Sequence, residues 1–189
     1  MINIPKRLRF LTTIELSKMK KKRRIITTLL LLILGSCALN AQNEKFKALF
    51  LYNFIKNVEW PQAYQQGDLI IGILGSNSIT KELETITSTQ RAGSQTMKVK
   101  VFSNVEEIGN CHILYISPNK GLLIPQLLTK FSGNSTLIVS DSKGGIQLGA
   151  SINFIMDGDK LKFEINRQHI EQKGLKVSAS LLNLGIAVN

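Results

Sequence analysis

Two histidines, His112 and His169, and two cysteines, Cys37 and Cys111, are the whole supply of imidazole and thiol groups in this 189-residue chain. A zinc site draws three or four such ligands together. Neither histidine has a second His or Cys at metal-ligand spacing except the adjacent pair Cys111-His112. Neighbours on a strand point to opposite faces, so those two cannot share one ion, and no metal site is expected. A cysteine nucleophile needs a base to hold its thiolate. Cys111 has none beside it in sequence and reads as a buried small residue. No Gly-x-Ser-x-Gly elbow occurs, and Glu59, Glu164 and Glu171 show no pairing that suggests acid and base work. A Ser-His-Asp constellation assembled only by the fold stays open at this level. No catalytic residue and no cofactor is expected, and a binding or regulatory domain is favoured over an enzyme.

Binding chemistry has three candidate places. Gly72-Ile-Leu-Gly75-Ser76-Asn77-Ser78 reads as strand, turn and helix start, where backbone N–H groups can meet an anion or carboxylate. It lacks both the dinucleotide pattern Gly-x-Gly-x-x-Gly and a Gly-Lys-Ser/Thr phosphate loop, so a tight turn with a serine cap is the plainer reading of Gly75 and Ser76. Asp141-Ser142-Lys143-Gly144-Gly145 follows an apolar run. Ligands of open α/β sheets bind beyond the carboxyl ends of the strands. In a parallel sheet the Asp141, Gly144 and Gly145 loop would open on the same edge as Gly75. A plain glycine turn is again the alternative. The third place is Glu59-Trp60-Pro61, which holds the only tryptophan. That indole is either core or a docking aromatic of the kind that dominates interfaces.

The elements that must position these residues follow from apolar spacing. Phe46, Leu49, Phe50, Leu51 and Phe54 across residues 42–56 predict an amphipathic helix with a broad apolar face, ended at Pro61. Leu69–Leu74, His112–Ile116 and Thr136–Ser140 are continuous apolar runs of the kind buried on both faces. Residues 79–86 and 122–131 predict helices, and Met97–Phe102 alternates apolar with basic residues as a half-exposed strand. Residues 151–156 and 161–165 form two strands joined by Asp157-Gly158-Asp159-Lys160, a hairpin turn. Asn166 caps a final helix of about 17 residues, which Gly174 breaks or kinks. Asn153 lies in an apolar strand, where a buried amide must find partners. The expected fold class is α/β, one domain, with a mostly parallel sheet flanked by helices on both faces, then a C-terminal β-hairpin and final helix.

The formal net charge of +11 points first to nucleic acid or a membrane. Residues 1–41, however, hold 9 of the 24 Lys and Arg and only 1 of the 13 Asp and Glu. The rest is close to balanced and has no basic cluster interleaved with aromatics, so nucleic-acid binding is set aside. The basic block Lys18–Arg24, the apolar run Ile25–Leu34 and the small-residue stretch 36–41 have the layout of a secretory signal. A membrane span needs roughly 20 apolar residues, about twice this run. Residues 1–41 are therefore read as a signal peptide, with Met19 as an alternative start, and residues 42–189 as the mature domain. Leu34-Gly35-Ser36-Cys37 also looks like an imperfect lipobox, which would make Cys37 a lipid anchor instead. Cys111 is left as the only thiol of the mature domain.

Phe54-Ile-Lys-Asn-Val58-Glu59-Trp60-Pro61, Ile71-Gly-Ile-Leu-Gly75, Cys111-His-Ile-Leu-Tyr-Ile116, Gly144-Gly-Ile-Gln-Leu-Gly-Ala-Ser-Ile152-Asn153-Phe154 and Phe163-Glu-Ile165-Asn166 resemble the YfiR family of periplasmic proteins. Leu175–Leu182 is similar to that family's last helix. The resemblance runs from about residue 44 to 185. It implies a non-enzymatic regulator in the periplasm that binds the periplasmic part of a membrane signalling protein. In the best-known members this is the diguanylate cyclase YfiN, whose restraint lowers cyclic-di-GMP and biofilm formation. Related domains are fused to sensor kinases, so a kinase is a second partner class. A periplasmic small-molecule sensor using the loops after Leu74 and Ser140 is the rival reading, and homodimerisation is left open. Family members can carry several disulfide cysteines. This domain keeps only Cys111, which puts a redox role in doubt. Cys111, Asn153, Phe163 and Asn166 are read as structural, and Glu59, Trp60, Gly75, Ser76, Asp141, Gly144 and Gly145 as candidates for partner or ligand contact.

Overall fold

The computed structural model describes residues 42–75 and 78–188. The secretory-signal and Cys37 readings, and Ser76, lie outside the described residues. Helix α1 covers residues 42–57 and leads into β1 (Val58–Glu59). After a 3-10 turn (Gln62–Tyr64) come β2 (Leu69–Leu74), α2 (Ile79–Thr89), β3 (Met97–Phe102) and β4 (Ile113–Ile116). A second 3-10 turn (Pro118–Leu123) runs into α3 (Ile124–Lys130), followed by β5 (Leu137–Ser140), β6 (Ile152–Asp157) and β7 (Lys160–Ile165). The chain ends in α4 (Arg167–Gln172), β8 (Lys176–Val177), α5 (Ala179–Leu184) and β9 (Ile186–Ala187).

Seven strands form one sheet in the order β3-β2-β4-β5-β6-β7-β9, and β1 pairs antiparallel with β8 in a separate two-stranded ribbon. Within the large sheet only the β6–β7 hairpin is antiparallel. Its two-residue loop puts Gly158 at φ 59, a left-handed conformation that glycine takes without strain. The α/β class, the mostly parallel sheet and the hairpin expected from the sequence are all present.

Alternation along the strands divides the core between two faces. Ile71, Ile73, Ile113, Tyr115, Leu137 and Val139 pack under α1 and α2. Leu74, Leu114, Ile116 and Ile138 pack with Ile124 and Leu127 of α3 and with Phe131 just after it on the other side. Helices therefore cover both faces. Phe163, 1 % exposed, anchors the hairpin with its ring edge-on to Phe54 at 5.0 Å and to Phe50 at 5.4 Å.

Two expectations need correction. Phe46 and Leu49 are not on the buried side of α1: they are 43 % and 39 % exposed. The stripe that faces the sheet is Ala48, Leu51, Phe54 and Ile55, because the aromatic contacts with Phe154 and Phe163 fix the helix rotation. The final helix of about 17 residues is instead two six-residue helices. Gly174 turns at φ 69, and the chain then leaves helix to pair Lys176 and Val177 with β1. Backbone pairing with a distant strand here prevails over local helix propensity. Among the described residues no helix is long and apolar enough to cross a membrane.

Candidate functional site

The sequence candidates fall at opposite ends of the parallel strands. Glu59 and Trp60 lie at the amino end, next to the start of β2, while Gly75, Asp141, Gly144 and Gly145 follow the carboxyl ends of β2 and β5.

At the amino end Trp60 belongs to the core, with only 6 % of its surface exposed. A buried indole N–H requires an acceptor, and Trp60 Nε1 donates to the Ser135 carbonyl at 3.0 Å. Tyr64 reaches the same residue, its hydroxyl accepting from Ser135 N–H at 3.1 Å. The two rings flank His112 edge-on, with centroids at 5.9 and 5.8 Å. His112 Nδ1 accepts from Ile70 N–H at 3.1 Å. That fixes the tautomer: Nε2 carries the proton and donates to the Tyr64 carbonyl at 2.8 Å. Burial lowers the His112 pKa, against a smaller opposing effect of the Tyr64 carbonyl. Trp60, Tyr64 and His112 thus clamp the entry to β2 and β4.

Beside that clamp the surface opens. Glu59 stands on the wall of two clefts, of about 450 and 250 Å³. The larger runs between the end of α1 and the turn at residues 91–95, with Trp60 and Leu69 in its lining. The smaller lies over the β1–β8 ribbon. Glu59 itself is exposed and accepts from Lys176 Nζ at 3.2 Å across that ribbon.

At the carboxyl end the parallel pairing of β2, β4 and β5 brings the turn at Gly75 and the loop after Ser140 to one sheet edge, as their positions after these strands required. They do not meet directly. Segment 117–121 is seated between them. Ser117 Oγ donates to the Leu74 carbonyl at 2.7 Å, a Cβ on Gly75 would lie 2.6 Å from Ser117 Oγ, and one on Gly121 would collide with Ser142. Gly144 turns at φ 74. Gly145 is a close-packing position: a Cβ there would run into Asn153 Oδ1 and lie 2.6 Å from Ser140 Oγ. Ser140 and Asn153 are register partners on β5 and β6.

Asp141 is held from two sides. Its Oδ2 accepts from Tyr115 OH at 2.9 Å and from Lys47 Nζ at 2.6 Å, and Lys47 also reaches Glu44 at 2.8 Å. Burial is the largest single influence on Lys47 and opposes its charge, yet the two carboxylates together outweigh it and raise the pKa. The network ties the first turns of α1 to the end of β5. Asn153 is 1 % exposed. Its Nδ2 donates to Glu164 Oε2 at 3.2 Å, and its Oδ1 is the one buried side-chain oxygen among the described residues with no hydrogen-bond partner. Asn166 accepts from His169 N–H at 2.9 Å, which caps α4. Cys111 is free and buried, and desolvation pushes its thiol up to about 12. A thiol in that state is not a nucleophile near neutral pH.

Sequence reasoning did not find Lys47, Tyr115, Tyr64 or Arg91. Only Lys47 carried a signal. It falls beside Ala48, Leu51 and Phe54 on the stripe that faces the sheet, and a cation there demands a carboxylate.

No curated protein matches the chain. The family described as YfiR/HmsC-like matches residues 44–186. That span takes in all but the first two residues of α1 and the last of β9, with both clefts and the Asp141 network, and the chain belongs to the YfiR/HmsC-like family.

Proposed function

We propose that this domain is a periplasmic, non-enzymatic regulator that binds the periplasmic part of a membrane signalling protein and modulates its output. Its target is a diguanylate cyclase of the YfiN type, and the consequence of binding is lower cyclic-di-GMP and less biofilm. Family membership over residues 44–186 is the observation that carries this reading. The exposed Glu59, on a two-residue strand next to the buried Trp60, is the proposed centre of the contact. Its carboxylate is exposed and borders both clefts, where a partner can reach it.

Affinity capture from envelope extract, read by mass spectrometry, tests the partner. Cyclic-di-GMP measured after deletion of the gene tests the output. A co-purifying membrane cyclase and a rise in the nucleotide are expected. Capture of a sensor kinase with unchanged cyclic-di-GMP would replace the cyclase by a kinase. Unchanged nucleotide with no membrane partner would sink the proposal.

A further inference from the structure

We propose that the larger cleft at the amino end of the sheet is a binding site for a small organic anion, a carboxylate or phosphate monoester carried on an apolar body. This does not depend on the cyclase reading. The floor of the cleft includes Ile55, Val58, Trp60 and Leu69, all buried core side chains. Two cations, Lys56 and Arg91, line it. Neither has a carboxylate partner among the described residues. The Lys56 ammonium sits 5.6 Å from the Tyr52 ring centroid, and Arg91 Nη1 donates to the Thr96 hydroxyl at 2.8 Å. The one acid in the lining, Glu59, is already paired with Lys176. The cleft therefore presents uncompensated positive charge above an apolar floor.

The polar groups of its walls are arranged to the same effect. Gln65 and Gln95 spend their amide donors on the Trp60 and Tyr64 carbonyls, at 2.7 and 3.1 Å, which holds the walls in place. Ala92 and Gln95 bond each other across a tight turn. That leaves the N–H groups of Gly93 and Ser94, two further lining residues, without a partner among the described residues. Backbone N–H groups and a guanidinium are the donors that carboxylate and phosphate oxygens take. The volume of about 450 Å³ falls within the roughly 300–1,000 Å³ usual for small-molecule sites. A neutral ligand would leave the cations unused, and a cation would be repelled by them.

Trp60 is the only tryptophan, so its single indole N–H resonance and its fluorescence report on this cleft. The protein is titrated to millimolar concentration with benzoate, phenyl phosphate and benzylamine. A saturable shift of the indole resonance and of the Gly93 and Ser94 amides is expected with one or both anions, and none with benzylamine. Comparing the two anions separates a carboxylate site from a phosphate site. In the double variant Lys56→Gln/Arg91→Gln, both positions being exposed, affinity should fall at least tenfold at unchanged melting temperature. Lys143→Gln at the opposite sheet edge should leave it unaltered. Absence of saturation with both anions, equal binding of benzylamine, or unchanged affinity in the double variant would overturn the proposal.

Discussion

Lowering the pH from 7 to 5 should weaken this fold at His112. The imidazole is 7 % exposed and is bonded at both nitrogens in its neutral form, Nδ1 to Ile70 N–H and Nε2 to the Tyr64 carbonyl. Burial disfavours the imidazolium, and the pKa lies below its usual value; a second proton on Nδ1 would also face the Ile70 N–H head-on. An unfolded chain takes that proton at about pH 6.5. Stability is therefore complete above about 6.5 and falls as pH drops from there towards the lower folded pKa. The loss can reach about 1.4 kcal/mol per pH unit for one proton. At pH 7, His112→Ala removes a partner from each of two part-buried backbone groups, at roughly 1–3 kcal/mol apiece, so a cost of about 2–6 kcal/mol is expected. Urea unfolding of wild type and variant at pH 7, 6 and 5 checks both numbers. The variant keeps every other side chain, so the difference between the two proteins isolates His112. That difference should shrink as pH falls. A difference that stays constant or grows would falsify the account of the ring as a neutral double clamp.

Three further outcomes follow from the packing. Gly145→Ala should lose about 1–3 kcal/mol, because the new methyl has no room between Ser140 and Asn153. A melting temperature equal to wild type would show that the loop has slack. Asn166→Ala should cost about 0.5–2 kcal/mol through loss of the α4 cap, while Asn166→Asp or Asn166→Ser should restore most of it; equal loss in all three variants would argue against capping. Cys111, buried with its thiol held protonated, should react with a maleimide slowly in the native protein and fast in denaturant. Rapid native labelling, or a disulfide-linked dimer that disappears in reductant, would contradict its burial.

The strands were legible because burial on both faces leaves a simple trace. Ile113, Leu114, Tyr115 and Ile116 are apolar without a break, and the structure sends alternate members to opposite cores. Helix α1 was legible as a helix but not in its rotation. Its apolar residues cover more than one face, and which of them turn inward is decided by Phe154 and Phe163, about a hundred positions away. The end of the chain was misread for a related reason. Residues 167–184 have helical spacing, but pairing with Val58 and Glu59 captures Lys176 and Val177 as a strand. Long-range pairing leaves no local signal, although the glycine at 174, at φ 69, marked where the helix stops.

The candidate site divides in the same way. Trp60 was conspicuous as the only indole, yet the cleft beside it joins residues near 56–60 to a turn at 91–95, and no spacing rule connects segments that far apart. Asp141 was chosen for its loop, but its character comes from Lys47, 94 positions earlier in the chain. The glycines show most clearly what sequence leaves undecided. A Gly-Gly pair after a buried strand fits a backbone that must approach a ligand, and it fits equally well a backbone that must approach its own core. Gly145 is crowded by Ser140 and Asn153, two register partners on neighbouring strands, so a side chain is excluded there with no ligand present. The one glycine of the cleft turn is different: Gly93 turns at φ 59, and nothing lies within 4 Å of a Cβ added to it. At Gly145 the neighbours demand glycine; at Gly93 only the backbone turn does, and the open space and the unbonded N–H are free for something the chain does not itself supply.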